Sequence, residues 1–288
     1  MDKKGNYSDN WSNDYTRSKI TGQGVLNTTF TSDEIKSRDD FYQQLGYEYI
    51  LEDILKYVNK PINKIKTLEV GCGGARNSVF LASKGMQVTC SDFSDEALRL
   101  AEDNFRKAGI QDYTLVNDDI LCSEQPEDEY DVIMSFGLLE HFNDIDEPFK
   151  AMTKRLCSGG IHIHDIITKR VSIQTLSFVW NYWARIVKRL VKGPRSLRMF
   201  REQRRNFLHY ENSYSLNTYV KAMEDTNVKL LYKGGYVFWT FFALPKSWQK
   251  ILVRWAINHK SFFYNIDHGG YKWMEYWGPC WLLVGKKI

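Results

Sequence analysis

The stretch TLEVGCGGARN, Thr67 to Asn77, ends an apolar run on an acid, Glu69, and then sets Gly71, Gly73 and Gly74 within four positions. Glycines directly after a buried strand let backbone approach a ligand and leave the amides of the next helix pointing at it. Two ligand chemistries compete for such a loop. A dinucleotide pyrophosphate calls for G-x-G-x-x-G; Gly71 and Gly73 fit, but Arg76 stands where the third glycine lets helix and strand pack closely. An amine-bearing, cationic ligand suits Glu69 better, because a carboxylate aimed into the loop repels phosphate and attracts ammonium.

Such a loop has to be carried by a strand and a helix, and the chain supplies both in series. Strand-like runs fall at Lys66–Val70, Gln87–Ser91, Tyr113–Asn117, Tyr130–Phe136 and Ile161–Ile167, with helical stretches at Asn77–Ser83, Asp95–Ala108 and Pro148–Leu156. Ser94 caps the second of these helices, and Gly109 stops it. This alternation predicts an α/β fold with a doubly wound, mostly parallel sheet and helices on both faces. A helical pattern over Ser32–Asn59 precedes it. After Ile167 come a basic segment, a helix over Ser215–Asp225, a strand over Val228–Tyr232, an aromatic-rich insert and a last strand over Cys280–Gly285.

With Glu69, Gly71, Gly73 and Gly74 in E-x-G-x-G-G order, the chain resembles the class I S-adenosylmethionine-dependent methyltransferases. The resemblance covers about 45–167 well and 213–287 weakly, and it implies seven strands with helical insertions after strands 5 and 6. It implies S-adenosylmethionine as cofactor, its methionine end at Glu69, Gly71 and Gly73. Asp92, in VTCSDFS, falls where the family's acid grips both ribose hydroxyls, and Phe93 beside it would pack on the adenine. In VNDDIL, the alignment favours Asp119 over Asp118 for the adenine amino group and the Ile120 amide for the ring. SFGLLEHF, Ser135 to Phe142, falls between cofactor and acceptor; RLCSGGIHI resembles the family's turn before strand 5, with Ser158 for its usual proline. Taken singly, each motif is an ordinary turn or solvated acid; five in order and spacing are far more specific.

Methyl transfer from a sulfonium is an in-line displacement that needs alignment and, for a hydroxyl acceptor, a base. His141, just after the fourth strand, is the first base candidate, with a loop-bracing role as its rival; Glu140 reads as a structural acid. His209, in NFLHYENSYS, is the second. His162 and His164 alternate along the fifth strand and so share a face, as core histidines, with Asp165 opposite. No Asn/Asp-Pro-Pro-Tyr/Phe or Pro-Cys follows the fourth strand, which disfavours nucleic-acid bases as acceptors. Ser135 stands where metal-dependent relatives carry a ligating acid, so no metal is expected.

Net charge is only +4, yet 169–205 carries eleven basic residues and one acid. Within it, 175–192 has a helical stripe of Leu176, Val179, Trp180, Trp183, Ile186, Val187, Leu190 and Val191 facing a basic side. A second stripe follows at Trp248, Ile251, Leu252 and Trp255. These fit either a lid over the acceptor or a helix lying on an anionic bilayer, which would admit a lipid-linked acceptor such as a quinone precursor or carrier-bound sugar. RNA ranks lower, because the tryptophans share their stripe with aliphatics. Five scattered cysteines, no CxxC and no apolar leader favour reduced thiols in the cytoplasm, peripheral on the inner membrane face if the helix lies on lipid.

The expected organisation is a cap at 1–60 with Trp11 and Tyr15 closing over the cofactor, a cofactor-binding half at 61–167, the basic insert at 168–212, and a C-terminal half at 213–288 with an aromatic-rich insert at about 243–277. The expected function is methylation of an oxygen on a small-molecule or lipid/glycan-linked acceptor. N-methylation, an NAD(P)-dependent oxidoreductase and a non-catalytic binding module are the alternatives. The oligomeric state is not legible.

Overall fold

The computed structural model describes residues 26, 35, 38–168, 172–190, 214–237 and 246–288. Trp11, Tyr15 and His209, and the expectations resting on them, lie outside the described residues.

Seven strands form one sheet: β1 (Lys66–Val70), β2 (Gln87–Asp92), β3 (Thr114–Asn117), β4 (Tyr130–Phe136), β5 (Leu156–Ile167), β6 (Val228–Tyr236) and β7 (Cys280–Lys287). Their spatial order is β3-β2-β1-β4-β5-β7-β6. The first five run parallel, and β7 inserts antiparallel between β5 and β6. A dinucleotide fold has the order 3-2-1-4-5-6; the reversed strand between the fifth and sixth sets this sheet apart.

Helices flank the strands and fill the late insert. These are α1 (Arg38–Tyr57), α2 (Arg76–Ser83), α3 (Asp95–Lys107), α4 (Asp146–Arg155), α5 (Ile173–Leu190), α6 (Leu216–Glu224), α7 (Lys246–Asn258), α8 (Lys260–Asp267) and α9 (Lys272–Trp277). Ser94 Oγ accepts from the Ala97 amide at 3.3 Å, Asp95 and Glu96 open α3, and Arg106 and Lys107 close it, each charge matched to the helix dipole. Ser215 caps α6 in the same way through the Thr218 amide.

Apolar layers cover both faces of the sheet. Ile54, Val79, Phe80, Met134 and Ile163 belong to one; Leu68, Ile133, Phe149, Tyr219 and Leu283 belong to the other. Each such side chain contributes about 1.5–3 kcal/mol on burial. A third cluster joins Phe41 and Tyr49 of α1 to Val253 of α7 and Phe263 of α8, and so fastens the late insert to the N-terminal helix.

The start of the fifth strand differs from expectation. Ser158-Gly159-Gly160 reads as a turn before the fifth strand, but it lies inside β5. The register shifts between Tyr130 and Val132, so the extra residues are absorbed as a bulge, with Gly159 at φ +77°. A Cβ on Gly160 would sit 3.0 Å from the Asp131 carbonyl and 2.8 Å from Leu156, which holds the position to glycine.

Candidate functional site

The turn after β1 is built almost without side chains. Gly71, Gly73 and Ala75 all take left-handed backbone, at φ +64°, +50° and +50°. A Cβ on Gly71 would come within 2.7 Å of Leu138 Cδ1, from the segment after β4. Three groups from neighbouring elements fasten the turn. The Cys72 amide donates to the Ser91 carbonyl at 3.0 Å. Asp92 Oδ2 accepts the Gly73 amide at 2.9 Å, while its Oδ1 accepts the Ser94 amide at 2.9 Å. Asn104 Nδ2, from α3, donates to the Gly74 carbonyl at 2.7 Å. The same asparagine's Oδ1 accepts the Leu26 amide at 2.9 Å, bringing that residue over α3.

Glu69 is 3% exposed and turns toward the start of α2. Its Oε2 accepts from the Ser78 amide at 3.1 Å and from the Ser78 hydroxyl; its Oε1 accepts from Asn77 Nδ2 at 3.3 Å. The acid therefore neutralises a helix N-terminus, a task the sequence did not separate from ligand binding. Burial pushes its pKa up, and the Ser78 and Asn77 bonds oppose the shift. Asp92 is also buried, and its pKa is raised by burial against the Ser94, Gly73 and Phe93 amides. A carboxylate has about four lone-pair sites, so its accepting capacity exceeds those amides. Phe93 follows Asp92 at the end of β2. Past β3, Asp119 Oδ1 accepts the Leu121 amide at 3.1 Å, and Ile120 is buried.

Gly71, Gly73, Asp92, Asp119 and Ile120 thus meet at the C-terminal edge of β1, β2 and β3, where open α/β sheets bind ligands. A side-chain-free turn flanked by carboxylates suits a cationic nucleoside that brings hydroxyl and amino donors, and the residues present fit S-adenosylmethionine in that sense.

Ser135, expected among the cofactor-binding residues, turns its side chain into the core. It is fully buried, and its hydroxyl lies 2.8 Å from His164 Nδ1. From there a chain of hydrogen bonds crosses the core: His164 Nε2 to His162 Nδ1 at 3.0 Å, His162 Nε2 to Thr153 Oγ1 at 3.0 Å, Thr153 Oγ1 to Thr226 Oγ1 at 2.9 Å. Thr226 donates to the Met223 carbonyl at 2.7 Å. That carbonyl can only accept, so the direction of every link follows. Thr153 donates to Thr226, each histidine donates from Nε2 and accepts at Nδ1, and Ser135 donates to His164. Both rings are neutral in this arrangement. Burial drives both histidine pKa values down, His162 to about 3, with Lys287 adding to its shift. They are core histidines, as the sequence implied.

On the opposite face, Asp165 stands beside Phe136 in register and points into a cavity of about 350 Å³. α1 supplies Tyr47, Tyr49 and Asp53 to its wall, the start of α2 supplies Arg76, and β6 supplies Tyr236. The Tyr236 hydroxyl donates to Asp165 Oδ2 at 2.6 Å. Burial raises Asp165 to about 6, against the Tyr236 and Cys280 hydrogen bonds. His141 ends the 3-10 turn Leu139–His141 and is half-buried; it is not part of this wall. Its neighbour Glu140 is 2% exposed, and burial pushes its pKa up to about 8, with Asp165 adding to the rise. The cavity acids from α1 were missed at sequence level, because nothing local says which face of that helix meets the sheet.

Within α5, Leu176, Val179, Trp180, Trp183 and Val187 are each about half exposed or more. In α7, Trp248 and Ile251 are more than 60% exposed. These residues lie on helices and face outward; Val191 of the first stripe lies outside the described residues. No helix among the described residues is long and apolar enough to cross a membrane.

Comparison with known proteins adds three findings. Residues 67–160 match the family described as methyltransferase domain. The ubiquinone biosynthesis O-methyltransferase of Pelagibacter ubique is 28% identical over 144 residues, 48% of this chain and 59% of that protein. The protein of the same name from Idiomarina loihiensis is 33% identical over 115 residues, 40% and 47% of the two chains. The chain thus spans about half the length of these relatives. In three dimensions, a putative sarcosine dimethylglycine methyltransferase from Galdieria sulphuraria superposes with a TM-score of 0.53 at 15% identity, over 86% of this chain and 88% of the other. That likeness is one of fold.

Proposed function

We propose that this chain, which carries a class I S-adenosylmethionine-dependent methyltransferase domain, moves a methyl group to an oxygen of a small-molecule acceptor. One observation carries the reading: the Asp92-clamped glycine turn and the cavity at Asp165 open on the same edge of the sheet, joined through Arg76 at the start of α2. Donor and acceptor sites side by side are what an in-line transfer requires.

S-adenosylmethionine, when bound, supplies a methyl group activated on a sulfonium. Gly71 and Gly73 offer backbone to its methionine end, with Glu69 behind them fixing α2. Asp92 takes the ribose hydroxyls with its remaining lone pairs, Phe93 packs on the base, and Asp119 with the Ile120 amide reads its edge. Ser135 contributes backbone only, its hydroxyl being committed to His164. His141, at the end of the same strand edge but outside the cavity wall, is the base candidate for the acceptor proton. The named function of the relatives supports oxygen as the receiving atom.

The outward stripe on α5, with the basic residues of 169–205, supports a surface role beside catalysis: the protein rests on an anionic bilayer and takes a lipid-linked acceptor there.

Calorimetry with S-adenosylhomocysteine and NAD(P) tests the cofactor, the former binding and the latter not. Mass spectrometry of extract treated with protein and isotope-labelled methyl donor tests the transfer. Full turnover by His141→Ala at saturating acceptor would remove His141 from the mechanism.

A further inference from the structure

We infer that the cavity beside the glycine turn is an ammonium site, so that the acceptor carries a positive charge. The word acceptor rests on the methyltransferase reading above; the charge preference rests on the cavity alone.

Among the described residues the wall holds the acids Asp40 and Asp53 from α1 and Asp165 from β5, and the guanidinium of Arg76. Asp53 is 4% exposed, and its Oδ2 accepts no hydrogen bond among the described residues. The His268 imidazole is the nearest basic group, with Nε2 at 3.6 Å, beyond hydrogen-bond reach. A buried carboxylate oxygen without a donor is costly to maintain, and a donor arriving with a ligand removes that cost. Asp165 is held by the Tyr236 hydroxyl at 2.6 Å, which fixes its direction and leaves its charge in place.

Tyr47, Tyr49, Phe136 and Tyr236 bring aromatic rings to the wall, beside Ile50 and Leu282. Aromatic faces attract cations and are indifferent to neutral groups of the same size. Acids and aromatic rings together are the surroundings that stabilise an organic ammonium in a dry site. A carboxylate or phosphate on the acceptor would instead face the like charges of Asp53 and Asp165. A metal ion is the weaker occupant: among the described residues no three carboxylate, imidazole or thiolate groups converge as ligands.

Three catechols of one ring and different charge test this: dopamine, 4-methylcatechol and 3,4-dihydroxyphenylacetate. Each is titrated into the full chain by calorimetry, with and without saturating S-adenosylhomocysteine. Dopamine is expected to bind roughly tenfold or more tighter than the carboxylate, about 1.4 kcal/mol. Asp53→Asn and Asp165→Asn each cut that preference, and Arg76→Gln enlarges it. The amide in Asp165→Asn still accepts from Tyr236, and circular dichroism confirms the fold. An equal or reversed order, no binding by any of the three, or a preference unchanged in both aspartate variants overturns the proposal. If S-adenosylhomocysteine fails to bind while dopamine is still preferred, the methyltransferase reading falls and the ammonium site stands.

Discussion

Asn104 Nδ2 donates to the Gly74 carbonyl across 2.7 Å, joining the middle of α3 to the glycine turn thirty residues earlier. Its other amide atom takes the Leu26 amide, so one buried side chain ties the turn to Leu26. Losing both bonds leaves a carbonyl and an amide unpaired, at about 1–3 kcal/mol each. Asn104→Ala is therefore expected to lower the melting temperature and to weaken S-adenosylhomocysteine binding about tenfold or more. Calorimetry beside a thermal melt separates the two effects. A melt shift with unchanged affinity would mean that Asn104 serves the fold without shaping the turn.

The buried histidine chain makes stability depend on pH. His162 holds its proton only below about pH 3 when folded, against about 6.5 when unfolded. The unfolded chain therefore binds the extra proton between those values. The contribution is complete above pH 6.5 and is lost as pH falls toward 3, by at most about 1.4 kcal/mol per unit. Buried carboxyls act in the opposite direction, so the effect is read as a difference. The stability of wild type minus His162→Gln, from urea unfolding, should shrink from pH 7 to pH 5. A constant difference would contradict the neutral, one-directional chain.

Glu140 has the opposite sign. Its carboxyl keeps a proton up to about pH 8 in the folded protein, against about 4.3 in the unfolded chain. Its contribution is complete below the unfolded value and is lost as pH rises through 8. Glu140→Gln, which is neutral at every pH, should gain on wild type from pH 5 to pH 8 in the same urea assay. If the two curves run parallel, the carboxyl is ionised where it lies.

Residues Trp180, Trp183 and Val187 of α5 offer the surface test. On liposomes containing phosphatidylserine, wild type should float with the lipid at low salt and come off at high salt. Trp183→Ala with Val187→Ser should lose the apolar part of that binding, and Lys188→Glu with Arg189→Glu should lose the salt-sensitive part. Partition that ignores salt and both variants would sink the surface role.

The chain's periodicity located β1 and β4 at their observed ends, Lys66–Val70 and Tyr130–Phe136, because each is a short apolar run framed by turn residues or acids. α3 was equally plain, its cap, charges and stop all being local. β5 and β6 ran longer than expected, and in both cases the misleading signal was a glycine pair. Gly234-Gly235 reads as a break, yet it belongs to β6 because the Met274 carbonyl of α9 crosses there, 1.8 Å from where a Cβ on Gly235 would stand. A close approach between distant segments leaves no mark on local sequence except the glycine itself. The same holds for the site. Glu69, Asp92 and Asp119 stand out as candidates from their order along the strands, but the grouping of Asp53 with Asp165 depends on how α1 lies across the sheet.

The strand order has a consequence for synthesis. β6 pairs with β7 and with no other strand, and β7 is the last of the seven to leave the ribosome. Until residues 280–287 emerge, β6 has no sheet partner and β5 offers a bare flank of amides and carbonyls to passing chains. The nascent protein must wait through the whole aromatic-rich stretch before that flank is closed, and an interruption there would favour clumping over completion.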